Sequence, residues 1–305
     1  MGIIVLVGAA GFAALERGPS AGARTLALSF TPGERETYRI RMTLDGTLSG
    51  GELLDETPVS VDLTQVVTWE VVDVDEEGAG TIRATVTMAF GSLDGENVPI
   101  DASELRSIEL RISPDGRILE TQDLSLGTLL IEGSGAIEGL MGSPFFLGPE
   151  QLVPLLADHP VAPGDGWETR SSRPLPFGRG SIPYQAASRF LRYERVDGLR
   201  VALIRTELTE RIDIAVPLDE LLASMAGMAG PPEGSALAGF IATCEGELSL
   251  TQRAWVDPRN GDLLRVSSTS PFDLTTSVGG LLIGADVVSN GTFRGESVME
   301  IEQVS

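Results

Sequence analysis

Residues 66–90 read VVTWEVVDVDEEGAGTIRATVTMAF. Two runs rich in Val, Thr and Ile flank an acidic, glycine-containing break. In the second run Ile82, Ala84, Val86 and Met88 alternate with Arg83, Thr85 and Thr87, a period of two. Alternation of this kind turns one face to a core and the other to water, as antiparallel sheets do. The stretch predicts a long hairpin with its tip at the break.

The same texture extends outward in both directions. In 36–47, Tyr38, Ile40 and Met42 share one face while Arg39, Arg41 and Thr43 take the other. Asp115-Gly116, Asp197-Gly198, Asn260-Gly261 and Asn290-Gly291 each sit between strand-like runs. These dipeptides tolerate the positive φ angles that tight hairpins need. The expected fold is mainly β (α+β).

The pattern occurs twice. In the first half Pro32-Gly33-Glu34 precedes a strand, then the 66–90 hairpin, then ELRISPDGRILE (109–120). In the second half Pro163-Gly164-Asp165 precedes Trp167, then ASRFLRYERVDGLRVALIRTELTERI (187–212), then QRAWVDPRNGDLLR (252–265). This predicts a duplicated antiparallel β-meander forming one large curved sheet or half-barrel. The expected organisation is 1–23 a signal peptide or short N-terminal anchor, 24–123 a first β repeat, 124–160 a helical connection, and 161–305 a second β repeat. The apolar character of 124–157, unlike that of a linker, favours one continuous sheet over two domains.

Two interruptions break the strand texture. Within 217–238, Leu218, Leu221, Leu222, Met225 and Met228 recur at three- and four-residue steps. Pro217 suits a first helical position, and Asp219 and Glu220 suit the positive end of a helix dipole. The other, 124–157, is expected to hold short helices, one over 149–157. Both inserts carry apolar faces. They either complete the core or wall a hydrophobic cavity, for which methionines make an adaptable lining. Leu129, Leu130, Ile137, Leu140, Met141, Leu222, Met225 and Met228 are the candidate ligand-binding residues.

The N-terminal run IIVLVGAAGFAAL (3–15) is short for a membrane span and suits the apolar core of a secretory signal. Ala21-Gly22-Ala23 fits a small-x-small cleavage site. No positive charge precedes the run, so the expectations are a start further upstream or a short uncleaved anchor. An extracytoplasmic location is expected: secreted, periplasmic or membrane-anchored.

Composition narrows the chemistry. The net charge is −22 over 305 residues and there is no Lys. Phosphate backbones would repel such a chain, so no nucleic-acid partner is expected. Lysine Schiff bases, a P-loop lysine and a Ser-Lys dyad are excluded. Cys244 is the single cysteine, so an intramolecular disulfide and a multi-Cys metal site are impossible. It is expected to be a small buried strand residue. His159 is the single histidine, in a Pro-flanked Asp-His-Pro connection, a poor mount for a triad base. Asp73 to Gly78 resembles the start of a calcium loop, but Ala84 stands where the twelfth-position Glu belongs. A solvated hairpin tip is the better reading. No catalytic residue, metal ligand or cofactor is expected; only carboxylate chemistry stays open.

The turns Pro32-Gly33-Glu34, Pro114-Asp115-Gly116, Pro163-Gly164-Asp165 and Pro258 to Gly261 carry a resemblance. The chain resembles uncharacterised bacterial exported proteins and lipoproteins with a duplicated, highly curved sheet, over roughly residues 27 to 304. More distantly it is similar to the lipoprotein-carrier and mycobacterial lipid-binding half-barrel folds, in which a curved sheet holds acyl chains under helices. The absence of a cysteine after the apolar run departs from their lipoprotein members. The resemblance implies an exported, non-catalytic binding protein holding a lipid or hydrophobic small molecule between a curved sheet and the inserts. The alternative is a structural module with a filled core that meets another envelope protein.

Overall fold

The computed structural model describes residues 22–50, 56–103, 107–122, 149–174, 181–217, 240–282 and 285–304. These residues form one twelve-stranded antiparallel sheet. The first half supplies β1 (Arg35–Ser49), β2 (Thr57–Val74), β3 (Gly80–Leu93), β4 (Glu96–Val98), β5 (Ile108–Ile112) and β6 (Ile118–Gln122). The second supplies β7 (Gly166–Pro174), β8 (Ser181–Val196), β9 (Leu199–Pro217), β10 (Ile241–Val256), β11 (Leu263–Leu282) and β12 (Ala285–Gln303). The order is β6-β5-β3-β2-β1-β12-β11-β10-β9-β8-β7, with β4 against β3. The chain therefore runs as a meander whose first and last strands pair at the centre. Among the described residues the ladder is open only between β6 and β7.

The sheet must curl. Eleven strands side by side would span roughly 50 Å if flat. Yet Cα atoms of β6 and β7, the two edges, come within 8 Å of each other. Ile118 from one edge and Trp167 from the other also join one apolar cluster. Both halves thus share a single inner face.

Alternation decides which side chains turn inward. Val59, Val61, Leu63, Val67, Trp69 and Val71 are buried along β2, and Ile204, Leu208, Ile212, Ile214 and Val216 along β9. Two non-strand segments close one end of the curl. Residues 24–30 place Leu26 and Leu28 in the core; residues 152–161 place Val153, Leu156, Ala157 and Val161 there. The two straps bridge each other, Arg24 N–H donating to Val161 O at 2.9 Å and Val161 N–H to Arg24 O at 2.8 Å.

The two Pro-Gly-acidic turns make the same bonds. Gly33 N–H donates to Val71 O, Val71 N–H to Glu34 O, and Glu34 N–H to Thr31 O. Gly164 N–H donates to Phe190 O, Phe190 N–H to Asp165 O, and Asp165 N–H to Ala162 O. A β-bulge follows at once in both halves. Val72 is the extra residue between the pairs Val71–Ile82 and Asp73–Thr81; Leu191 is the extra residue between Phe190–Ile204 and Arg192–Leu203. The closing hairpins match in the same way. Leu119 is extra between Arg111–Glu120 and Ile112–Ile118, and Leu264 between Trp255–Arg265 and Val256–Leu263.

Several expectations need correction. Asn290-Gly291 is not a turn: it lies inside β12, where Gly291 pairs with Thr276, and the reversal falls between the paired Leu282 and Ala285. An added Cβ at Gly291 would stand 3.1 Å from Ser49 O, so close approach of β1 explains this glycine better than turn geometry. Met88 does not share a face with Val86. Thr87 is an extra residue between the pairs Val67–Val86 and Val66–Met88, so Met88 and Phe90 turn outward and Ala89 turns in. Pro217 ends β9, paired with Ile241, so it is a strand residue and not a first helical position. Over 149–157 only Pro149–Gln151 is helical, as a single 3-10 turn. Pro154 disfavours helical geometry before it and has no N–H to donate.

The other turns fall where the sequence puts them. Asp197 (φ 49°) and Gly198 (φ 82°) link β8 to β9, and Gly116 and Gly261 sit at φ 82° and 80° in the closing hairpins. Asp75 holds the 75–79 tip, accepting N–H bonds from Glu77 and Ala79, each at 2.9 Å.

Candidate functional site

The inner face has three bands. The first, at the strap end, is apolar and contains Tyr38, Trp69, Phe190, Ile204, Val266 and Ile301. Tyr38 and Trp69 stack obliquely with centroids 4.7 Å apart. The far band is also apolar. Val61, Leu44, Phe293, Leu274, Leu248, Ile212 and Ile182 belong to it, drawn from seven strands. Among the described residues every member of this far cluster is a strand side chain.

Between them runs a polar band set by register. Ser268, Gln252, Thr206, Ser188 and Trp167 are successive cross-strand partners from β11 to β7. Gln252 explains part of it. Its Nε2 donates to the carbonyls of Glu150 (2.9 Å), Gln151 (3.2 Å) and Val153 (3.3 Å), tying the second strap to the sheet. Ser188 and Thr206 bond each other at 2.9 Å, and Ser270 Oγ donates to Ser249 O at 2.8 Å. Glu210 and Tyr184 extend the band. Burial pushes the Tyr184 phenol up to about 12, with the Glu150 and Glu210 carboxylates adding to the shift.

Three donors of these inner-facing residues make no hydrogen bond: Gln65 Nε2, Trp167 Nε1 and Ser297 Oγ. Leaving a buried donor unmade is costly, so each marks a place where packing alone is an incomplete account.

A second feature lies at the strap end. Carboxylate oxygens of Glu34, Glu36 and Asp262 lie within 4.8 Å of one another. They rim a cavity of about 40 Å³ that is floored by Tyr38, Trp69, Ile82 and Leu263. Glu36 accepts from Tyr38 Oη and, at 2.8 Å, from Gln303 Nε2. Burial raises its pKa above the usual carboxylate range, the Tyr38 bond works against that, and Asp262 and Glu34 add to the rise. Asp262 is raised for the same reasons, burial first and Glu34 next. Clustered acidic side chains of this kind are common without an ion, so they carry no metal assignment. The cavity is also too small for a drug-sized ligand.

All eight residues predicted to bind ligand lie outside the described residues: Leu129, Leu130, Ile137, Leu140 and Met141 in 123–148, and Leu222, Met225 and Met228 in 218–239. The amphipathic helix expected within the 217–238 insert, from Pro217 to near Gly230, lies outside them too beyond Pro217. His159 is exposed, its Nδ1 2.8 Å from Asp158 on the strap turn. Cys244 is buried in the far apolar band, and desolvation pushes its thiol up to about 11, far from a reactive thiolate.

Sequence reasoning missed the polar band and the acidic rim. Gln65, Gln252 and Ser297 each stand at an inward position of a period-two run, a legible signal. Glu34, Glu36 and Asp262 meet only through tertiary folding. No known protein-family model matches the chain, and no curated protein matches it significantly.

Proposed function

We propose that this chain is a non-catalytic binding protein of the extracytoplasmic space, holding an apolar ligand on the inner face of its curled sheet. One observation carries the reading. The inner face is apolar at both ends, and the described straps pack only on one of them. A core that needed only to be filled would be served by one sealed cluster. Strands contributing twelve further buried apolar positions beyond it supply a lining of the length an acyl chain requires. The buried, weakly acidic Cys244 and the exposed His159 offer no activated nucleophile and no rigid base, which favours binding over catalysis.

We also infer that the sheet arose by duplication, β1, β2, β3, β5 and β6 corresponding to β7, β8, β9, β10 and β11. Support comes from the paired turns and from bulges at matching places, Val72 with Leu191 and Leu119 with Leu264. β4 and β12 have no counterpart in this scheme, and β12 joins the halves.

Native mass spectrometry of the chain expressed in bacteria tests the binding reading. Co-purified masses in the lipid range, with uptake of a fluorescent fatty acyl probe, are expected. A bare protein mass together with no probe uptake overturns it. Fractionation of the expressing cells tests location, which the reading places outside the cytoplasm.

A further inference from the structure

Two buried donors, one on each side of the polar band's register, say which apolar ligand fits, if the inner face is a binding surface as argued above. Gln65 alternates with the buried Leu63 and Val67 on β2 and is itself 5% exposed. Ser297 is 1% exposed on β12 and faces Leu44 across one ladder and Ser270 across the other. Met42 on β1 lies between them in register, paired with Leu63 on one side and Met299 on the other. The two unpartnered groups therefore flank an apolar patch in the middle of the face. Gln65 Nε2 can only donate, and the Ser297 hydroxyl can donate. A ligand that reaches them must offer acceptor oxygens.

Charge limits the choice further. The buried polar side chains among the described residues are Gln, Ser, Thr, Asp and Glu, with no Arg or His. Nothing buried there would neutralise an anionic head, and the chain carries a net charge of −22. A carboxylate or phosphate head would pay desolvation without a counter-charge. An ester carbonyl accepts the same hydrogen bonds at far lower desolvation cost. Gln65 pairs with Ile40 and Ser297 with Leu44, so the two donors stand four residues and two strands apart, too far to share one ester. We propose that the ligand is an uncharged lipid bearing at least two acyl esters, one accepting from Gln65 and another from Ser297, with its chains on the two apolar bands.

The test is displacement of a bound fluorescent hydrocarbon probe at pH 8 by methyl oleate and by oleate. Methyl oleate is expected to bind at least about tenfold more tightly, the equivalent of one desolvated hydrogen bond. Gln65→Leu with Ser297→Ala should remove that preference and raise the melting temperature of the ligand-free protein. Equal or tighter binding of oleate overturns the ester assignment while leaving a lipid-binding protein. An unchanged preference in the double variant also overturns it, since buried water then satisfies the two donors. Failure of the hydrocarbon probe itself to bind removes the binding reading and this one together.

Discussion

Gly261 and Gly198 have nearly the same backbone, φ 80° and 82°, but different surroundings. A Cβ on Gly198 would meet nothing within 4 Å. On Gly261 it would stand 2.4 Å from Ala27 O and 2.6 Å from Ser29 N, inside the first strap. Gly198→Ala should therefore cost only the left-handed backbone strain, about 1 kcal/mol. Gly261→Ala should cost at least about 2–3 kcal/mol more, because the strap must move off the sheet. Urea unfolding of both variants checks the difference. Glu36 sets a second residue-scale expectation. Its folded pKa is raised by burial, so the folded state holds this proton more tightly than the unfolded chain. That contribution to stability is present at low pH and is lost as pH rises through the folded value. Asp75 and Asp257 oppose it. Bonds from Arg111 and Arg259 lower their pKa values, so their contributions fade as pH falls. Glu36→Gln keeps an acceptor for Tyr38 and cannot ionise. It should be more stable than the parent near pH 7 and closer to it near pH 4. Thermal melts across pH 4 to 8 show the slope; an unchanged difference at both ends would count against the assignment.

The elements themselves were largely legible where local chemistry decides them. Period-two runs around Tyr38 and Ile82 and the Asp-Gly and Asn-Gly turns at 115, 197 and 260 follow from steric rules that act within a few residues. Asn290-Gly291 misleads because an Asn-Gly pair reads the same whether it turns or accommodates a neighbouring strand. The Thr87 bulge was not legible, since one extra residue inverts a face without altering composition. The polar band needs register across five strands, which no single stretch of sequence contains. Gln252 illustrates the consequence. Read locally it is a polar residue on an inward strand position; in the fold it collects three carbonyls of the strap. Gln252→Leu should leave those carbonyls without their donor at a cost of about 2–3 kcal/mol. Amide exchange should accelerate at Leu156, whose N–H donates to Asp115 O from the strap, before it changes in the β9–β10 ladder.

At the scale of the molecule, the first and last strands meet at the middle of the sheet. β1 and β12 share twelve register pairs, from Tyr38–Gln303 to Ser49–Thr292. β6 and β7, which follow each other in sequence, share no ladder among the described residues. Covalent continuity and structural continuity therefore fall in different places. A break in the chain between β6 and β7 severs no hydrogen-bonded pair of the sheet. A break in the β1–β12 ladder divides it into two pieces, each with a long edge of unpaired backbone N–H and C=O groups. Two fragments, 1–135 and 136–305, co-expressed, should consequently assemble as a one-to-one complex with the circular dichroism of the intact chain. Val298 tests the contrary case. It pairs with Thr43 on one side and Thr269 on the other, so Val298→Pro places a residue without an N–H in the central strand. The cost should be at least about 3 kcal/mol, and the fragments carrying it should not associate. Complex formation that survives Val298→Pro would mean that the straps, bridged through Arg24 and Val161, hold the halves together and the central ladder does not.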